Sequence, residues 1–399
     1  MKKMQDVKDM VNTTRFNLLD VVFLIIIFSL LSIIITTFIY RKQRQTSNTN
    51  NIENVYNQII HNYYEDVNKE ELANSAINGM MDYLDEKYST YLNEDRTNLF
   101  NDQLDGSYKG IGIVASQTKD GIFVYNVMNN SPAEKAGLQV NDQILKIDDM
   151  TINRDTQLTD IVNYIKEHTD MVFVIKRNDS ELVFNIVAGD IPNPVVSTKL
   201  LTNDKDNYGY IYLKSFTNTS YNQFKSSLEE LEKNDLKGLL VDLRSNKGGY
   251  TDQASSIAEL FLDKGKTINY IKEKDKETVV SDNTDEHREY PIVVLVDRIT
   301  ASSSELLALA LKESYGAILV GTKTYGKGRI QYKSNITDTT MIKYTAGLWY
   351  SPNHNCIDGA GIKPSYTVEL SEEYAKNPND KNDNQLAKAL GVLINLNKW

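Results

Sequence analysis

The residues best placed to do chemistry lie between positions 291 and 331, PIVVLVDRITASSSELLALALKESYGAILVGTKTYGKGRIQ. Ser302, Ser303 and Ser304 follow a short apolar run, 292–296, and open a segment with apolar residues at helical spacing, 304–315. A second apolar run, 317–320, leads into Tyr325-Gly326-Lys327-Gly328. Read as strand, turn, helix, strand and Gly-rich turn, the stretch puts both loops at carboxyl ends of neighbouring strands, on one rim of a sheet. A hydroxyl and an amine far apart in the chain can meet there. A serine hydroxyl is a weak nucleophile and needs a base. Lysine serves if burial disfavours its ammonium form and brings its pKa toward neutrality. A helix start adds unpaired backbone N–H groups that can hold an oxyanion. The plainer reading makes the serines helix N-caps and Lys327 a surface turn residue.

Thr300-Ala301-Ser302-Ser303-Ser304-Glu305 and Gly326-Lys327-Gly328-Arg329-Ile330-Gln331 resemble the signature of the C-terminal processing peptidases, or tail-specific proteases: T/S-A-S-A-S-E followed by G-K-G-x-x-Q. The resemblance implies Ser302 as nucleophile, Lys327 as base and Gln331 as the residue that orients the base. It departs at Ser303, where Ala is usual, although the family uses only the backbone N–H of that residue. On the residues alone, Ser303 and Ser304 stay open as nucleophiles. Arg244-Ser245-Asn246-Lys247-Gly248-Gly249, after the apolar run 238–243, resembles the family's L-R-x-N-x-G-G, with Lys247 where Pro is usual. This implies an oxyanion hole made by the N–H groups of Gly248 and Ser303; taken by itself, the Gly-Gly pair is a tight strand-to-helix turn. Residues 358–364, DGAGIKP, resemble G-x-G-I-x-P-D, with Ser365 in place of Asp. Residues 86–92, EKYSTYL, resemble D-P-H/Y-S-x-Y-L, with Glu86-Lys87 in place of Asp-Pro.

These loops need a scaffold. Residues 209–213, 219–234, 238–243 and 252–262 alternate strand and helix patterns, which predicts an α/β layered core with parallel strands. We place this catalytic core at 191–375, and the resemblance implies a crotonase/ClpP-like serine protease build. A C-terminal helix lies within 376–399. Upstream, 106–190 has closely spaced short strands and the segment S-P-A-E-K-A-G-L, in which Ser131 caps a short helix, Pro132 starts it and Gly137 ends it. That order resembles a PDZ domain. Such domains take a chain's C-terminus by strand addition and hold its carboxylate on backbone N–H groups of a Gly-rich loop. The resemblance puts that loop on Tyr108, Lys109, Gly110, Ile111, Gly112 and Ile113, with Ile111, Ile113 and the amphipathic helix at 157–167 around the side-chain pocket.

Residues 52–105 form an N-terminal helical segment. Val55, Ile59 and Ile60, then Leu72, Ala76 and Ile77, recur at helical spacing and read as the core of a small scaffold; helices here often take part in dimerisation in the resembling peptidases. Residues 41–51 read as a linker, flexible over QTSNTNN. Residues 18–40 are almost wholly apolar, and 23 residues span roughly 34 Å as a helix, enough to cross a bilayer. Residues 38–44 show no small-residue cleavage pattern, which favours an uncleaved signal anchor over a cleaved signal peptide. Basic residues flank both ends, so charge does not orient the helix; the resemblance implies a cytoplasmic tail at 1–17 and a catalytic part outside the cell membrane.

Composition narrows the function. The 399 residues suit two or three domains, with 25% charged and 41% hydrophobic residues. A net charge of −10 with no basic stripe argues against nucleic acid. One cysteine, Cys356, excludes an intramolecular disulfide and a Cys-rich metal site. His61, His168, His287 and His354 are the only histidines and none lies near the serines in sequence; a Ser-His-Asp triad assembled in space stays open. The expectation is a multidomain α/β protein with one transmembrane helix: a serine endopeptidase without metal or cofactor. Its partners would be proteins with accessible C-terminal tails and, as a candidate, a second copy of itself. The alternatives are an inert tail-binding protein with a PDZ domain and a crotonase-like domain for small-molecule acyl transfer.

Overall fold

The computed structural model describes residues 17–45 and 48–397. The tail expected at 1–17 lies outside them except for Asn17. The chain divides into two compact units, Met1–Asp85 and Glu86–Trp399.

In the first unit, helix α1 (Leu18–Gln45) contains the run Leu19–Phe38, whose mean hydropathy is 2.9. Among the described residues it is the one helix long and apolar enough to cross a membrane, and Phe23, Phe28 and Ile34 on it are exposed. Helices α2 (Asn48–Asn62) and α3 (Lys69–Asp82) follow. Asn48–Asn51, read as spacer, belong to α2, because asparagines are tolerated in an opening turn that hydrophobic spacing from Ile52 continues. Asn68 caps α3 by accepting from the N–H groups of Glu70 and Glu71 at 3.0 and 3.2 Å. The apolar residues of these helices were expected to be core, yet neither helix contains a buried residue, and Ile52, Val55 and Met80 are exposed. Helical spacing reports a shared face; two short helices are too small to cover one another's faces.

The second unit opens with β1 (Thr90–Leu92) and α4 (Glu94–Asp105), then β2 (Ser107–Gly110). A small β domain follows: β3 (Ile113–Thr118), β4 (Gly121–Val127), α5 (Pro132–Ala136), β5 (Gln143–Ile147), β6 (Met150–Thr151), α6 (Leu158–Glu167), β7 (Asp170–Arg177) and β8 (Ser180–Val187). Its sheet runs β3-β4-β5-β7-β8, with β6 on β5, around a core that includes Ile122, Phe173 and Ile175. Strand β9 (Gly189–Pro192) pairs antiparallel with β2, so the domain enters and leaves by a two-stranded ribbon.

The larger domain is built on β10 (Val196–Asn203), β11 (Asp206–Leu213), α7 (Ser220–Glu232), β12 (Leu236–Asp242), α8 (Thr251–Glu259), β13 (Thr267–Glu273), β14 (Glu277–Ser281), β15 (Ile292–Val296), α9 (Ser303–Ala310, continued by a π turn to Tyr315), β16 (Ile318–Gly321), β17 (Arg329–Asn335), β18 (Met341–Tyr350), β19 (Tyr366–Thr367), α10 (Glu372–Lys376) and α11 (Asn384–Leu396). The main sheet is β10-β11-β12-β15-β16-β19, parallel from β11 onward. Along β15, Ile292, Val294 and Val296 face the core under α7, α8 and α9; Val293 and Leu295 face Leu386, Ala389 and Leu393 of α11. Cover on both faces is why the central strands read as unbroken apolar runs. A second sheet, β1-β18-β13-β14 with β17 on β18, carries the segment after Lys327.

One ionic cluster holds α11 down. Arg244 donates to Asp242 at 2.6 Å and to both oxygens of Asp383 at 3.0 and 2.8 Å, and Asp383 caps α11 through the Leu386 N–H at 2.9 Å. Tyr210 closes the cluster on Asp242 at 2.8 Å. Arg244→Ala would leave two buried carboxylates without their counter-ion. We expect a loss of about 3–5 kcal/mol, read as a lower urea midpoint for the second unit.

Candidate active site

Three loops meet at the carboxyl ends of β12, β15 and β16, which are neighbours in the parallel sheet. The loop after β12 accepts from the turn after β15. Thr300 Oγ1 donates to the Leu243 carbonyl at 2.9 Å, and Ala301 N–H and Ser304 Oγ both donate to the Asn246 carbonyl at 3.0 Å. Ser303 Oγ donates to the Gly249 carbonyl at 2.8 Å. Tyr325, after β16, donates its N–H to the Thr300 carbonyl at 3.0 Å. Ser303 and Ser304 are thus wholly buried with hydroxyls committed to backbone carbonyls, whereas Ser302 keeps 9% of its surface. Ser302 also stands at φ +57°, ψ −120°, a conformation that costs a non-glycine residue of order 1–3 kcal/mol and gathers at functional turns.

Glu305, one turn into α9, accounts for how these loops hold together. Its carboxylate accepts the Ser302 N–H and the Lys327 N–H through Oε2, both at 2.9 Å. Through Oε1 it accepts the Gly326 N–H at 2.8 Å and the Thr324 hydroxyl. The side chain is fully buried, and four donors leave it an acceptor only. The serine backbone and the lysine backbone are therefore tied to one group. The Ser302…Glu305 spacing is that of a capping box, the signal by which sequence could have found it.

Lys327 Nζ donates to Gln331 Oε1 at 2.9 Å. Gln331 Nε2 donates in turn to the Tyr88 carbonyl, and the amine lies 4.7 Å from the centre of the Tyr88 ring. Burial, with the charge of Lys343 as the next cause, lowers the Lys327 pKa from 10.5 to about 8; Glu86 opposes and Lys87 reinforces the shift. At pH 7 about one amine in ten is then neutral, against about one in three thousand for an ordinary lysine. Burial would raise the Glu86 carboxyl, but bonds from Thr345 Oγ1 at 2.7 Å and Ser89 Oγ at 2.8 Å, with Arg329 close by, hold it below the usual range. Glu86, Lys87 and Tyr88 thus border the lysine, and Tyr88 and Lys343 were not among the site residues expected from the sequence. Strand β18, which carries Lys343, pairs with β17 on one side and β1 on the other; no short-range pattern announces that.

Gly248 and Ser303 are also brought together. A Cβ placed on Gly248, at φ +94°, would fall 2.9 Å from Ser302 Cβ and 3.1 Å from the Ser303 nitrogen. The Gly248 N–H, however, donates to Asn246 Oδ1 at 2.9 Å, and Asn246 Nδ2 is itself held by the Leu213 carbonyl at 2.8 Å. The expected oxyanion donor has a protein partner here. As for the histidines, His168 stacks on Tyr164 in the small domain, and His354 lies tilted against Tyr270 of the second sheet.

In the small domain, the segment Tyr108–Ile113 forms one wall of a cavity of about 150 Å³. Leu158, Ile161, Val162 and Ile165 of α6 form the facing wall; the sequence had not singled out residues of this helix. Gly112 stands at φ +79°, where a Cβ would lie 2.2 Å from Ser131 Cβ. The loop can make this close approach only with glycine.

Residues 207–368 match "Peptidase family S41", residues 110–187 match "PDZ domain", and residues 35–96 match "Activating protease CtpB N-terminal domain". The "Probable CtpA-like serine protease" of Staphylococcus aureus (strain MRSA252) is 33% identical over 369 residues, covering 90% of this chain and 73% of that protein. The "Carboxy-terminal processing protease CtpA" of Bacillus subtilis (strain 168) is 32% identical over 365 residues, covering 87% and 77%. A photosystem II D1 C-terminal processing protease shares the fold, with a TM-score of 0.51 at 22% identity, covering 88% and 92%. The architecture is that of a multidomain serine-type protease with a PDZ domain. The chain belongs to peptidase family S41, as a C-terminal processing peptidase similar to CtpA.

Replacing the Glu305 carboxylate tests the shared anchor. Glu305→Gln puts an amide donor against backbone N–H groups or the Thr324 hydroxyl. We expect turnover to fall about 10²-fold or more through misplacement of Ser302 and Lys327, with stability reduced by about 1–3 kcal/mol in thermal melts.

Proposed function

We propose that this protein is a membrane-anchored endopeptidase with a Ser302–Lys327 dyad, acting on proteins captured by their C-terminal tails. The observation that carries the reading is the half-buried Lys327, its pKa lowered to about 8, bonded to Gln331 and sharing the Glu305 carboxylate with Ser302. The neutral amine of Lys327 takes the proton of Ser302 Oγ as that oxygen attacks the peptide carbonyl carbon. The tetrahedral oxyanion is held by N–H groups of Ser303 and Gly248, the latter exchanging Asn246 Oδ1 for substrate. Collapse breaks the C–N bond, Lys327 returns its proton to the leaving amine, and an acyl-enzyme remains. Water, deprotonated by the same lysine, then releases the acid and restores Ser302.

The small domain fits tail capture. Its cavity is apolar on the α6 side and bordered by the Gly-rich strand entry of Tyr108, Lys109, Gly110, Ile111, Gly112 and Ile113, so a short apolar terminal side chain suits it. We read residues 191–375 as a core of crotonase/ClpP-like build, and 106–190 as the capture domain. The exposed apolar helix α1 is read as the anchor, with the catalytic part on the outer side of the cell membrane, and the exposed apolar residues of α2 and α3 as the surface for a homodimer.

Ser302→Ala and Lys327→Ala should each abolish cleavage of a protein with an unstructured tail, with melting temperatures close to wild type, and a chelator should leave the wild-type rate unchanged. Normal cleavage by both variants would refute the dyad. For capture, substrates differing only in their last few residues should differ in cleavage rate, with products read by mass spectrometry. Ile111→Asp should erase the difference while leaving cleavage of a short tail-less peptide intact. Equal rates across all tails would remove tail recognition from the account.

A further inference from the structure

The turn before β1 does more than begin a strand. Gln331 can present its oxygen to Lys327 only if its amide stands one way round, and the Tyr88 carbonyl, taking Gln331 Nε2, sets that orientation. The Tyr88 ring lies against the lysine amine, 4.7 Å from its centre to Nζ. Tyr88 is itself fixed: its N–H donates to Glu86 Oε2 at 3.2 Å, and the Glu86 carboxylate is pinned by Arg329 at 2.9 Å, Ser89 at 2.8 Å and Thr345 at 2.7 Å. Beyond Tyr88, β1 is zipped onto β18 from Thr90↔Lys343 to Leu92↔Met341. The ring is thus held by a built network over a group whose protonation state decides the chemistry.

We propose that Tyr88 is a positioning residue for the lysine base, its carbonyl orienting Gln331 and its ring keeping water from the amine. This rests on the reading of Lys327 as the base. Two effects of the ring oppose each other. The face of an aromatic ring attracts an ammonium, a factor of about two to five in the protonation equilibrium at a site near the surface. Exclusion of water favours the neutral amine, and burial is the leading cause of a lowering that amounts to more than a hundredfold in that equilibrium. The ring is one wall of that exclusion, and we take its share to exceed the attraction of the ring face, so that removing the ring raises the lysine pKa. The charged and titratable groups facing the amine do not reverse this. Lys343 from β18 and Lys87 from the turn favour the neutral form, and Glu86 opposes them. Arg329 is paired with Glu86 and Asp358, Glu305 is committed to four donors, and the Tyr325 hydroxyl accepts from Lys87 at 3.4 Å.

Because any substitution keeps the carbonyl, variants at this position test the ring. With the full-length protein, the pH profile of kcat and KM is measured for wild type, Tyr88→Ala, Tyr88→Leu, Tyr88→Phe and Lys327→Ala, with thermal melts alongside. In Tyr88→Ala the rising limb of kcat should move up by about one pH unit. Turnover should fall about tenfold at pH 7, recover above pH 9, and leave KM little changed; Tyr88→Leu should lie between, and Tyr88→Phe should bring the limb back. If alanine does not fold, leucine carries the same reading. A folded Tyr88→Ala or Tyr88→Leu whose limb stays in place, or moves down, overturns the proposal, even if the rate falls equally at every pH. Lys327→Ala separates the two failures: if it is inactive while the Tyr88 limb is unmoved, only the role of Tyr88 fails; if it is active, the base assignment fails first.

Discussion

The site depends on one buried carboxylate. Ser302 starts a helix after β15 and Lys327 lies in a loop after β16, so nothing in local structure fixes one against the other. Glu305 accepts the backbone N–H of each through the same oxygen, at 2.9 Å. An exposed carboxylate would spend such bonds on water; a fully buried one must satisfy its lone pairs with protein donors, and four donors converge on it. The parallel order β12-β15-β16 brings the loops to one rim, and Glu305 turns that proximity into fixed geometry. The serine's strained φ of +57° persists because both sides of the turn are held.

The second sheet supplies what the first cannot. A lysine at a sheet rim meets water and stays charged. Here β17, β18 and the turn before β1 bring Gln331, Lys343 and Tyr88 around the amine, and burial brings its pKa to about 8. Neighbouring positive charge acts the same way, while Glu86 limits the effect. The chemistry attributed to the dyad therefore rests on an environment assembled from three sequence regions, near residues 88, 327 and 343.

Much of the main sheet was legible. The run at 292–296 has the same bounds as β15, and the strand at 238–243 lies within two residues of β12, because both faces are covered and the apolar runs are uninterrupted. The strands of the second sheet were less so: β13, β14 and β17 are half-exposed, short of apolar runs, and paired over long sequence distances. Periodicity misled in α2 and α3, where Val55 and Met80 keep the helical spacing of a core and remain exposed. At the site, motif resemblance named Ser302, Lys327, Gln331, Gly248 and Ser303. It said nothing of which partner the Gly248 N–H holds, since Asn246 reaches it through a side-chain turn, and nothing of Tyr88, whose part is played by a carbonyl and a ring face. Both Asn246 and Tyr88 fall within the quoted motifs, but a motif names a residue without the contact it makes.

The account stands on Ser302 being activated by a neutral Lys327. The most direct measurement is the rate of covalent labelling by a fluorophosphonate as a function of pH, with the modified residue located by mass spectrometry. The account predicts label on Ser302 alone, at a rate that rises through about pH 8 and loses that rise in Lys327→Ala. Label on Ser303 or Ser304, or a rate on Ser302 indifferent both to pH and to the loss of Lys327, would contradict it.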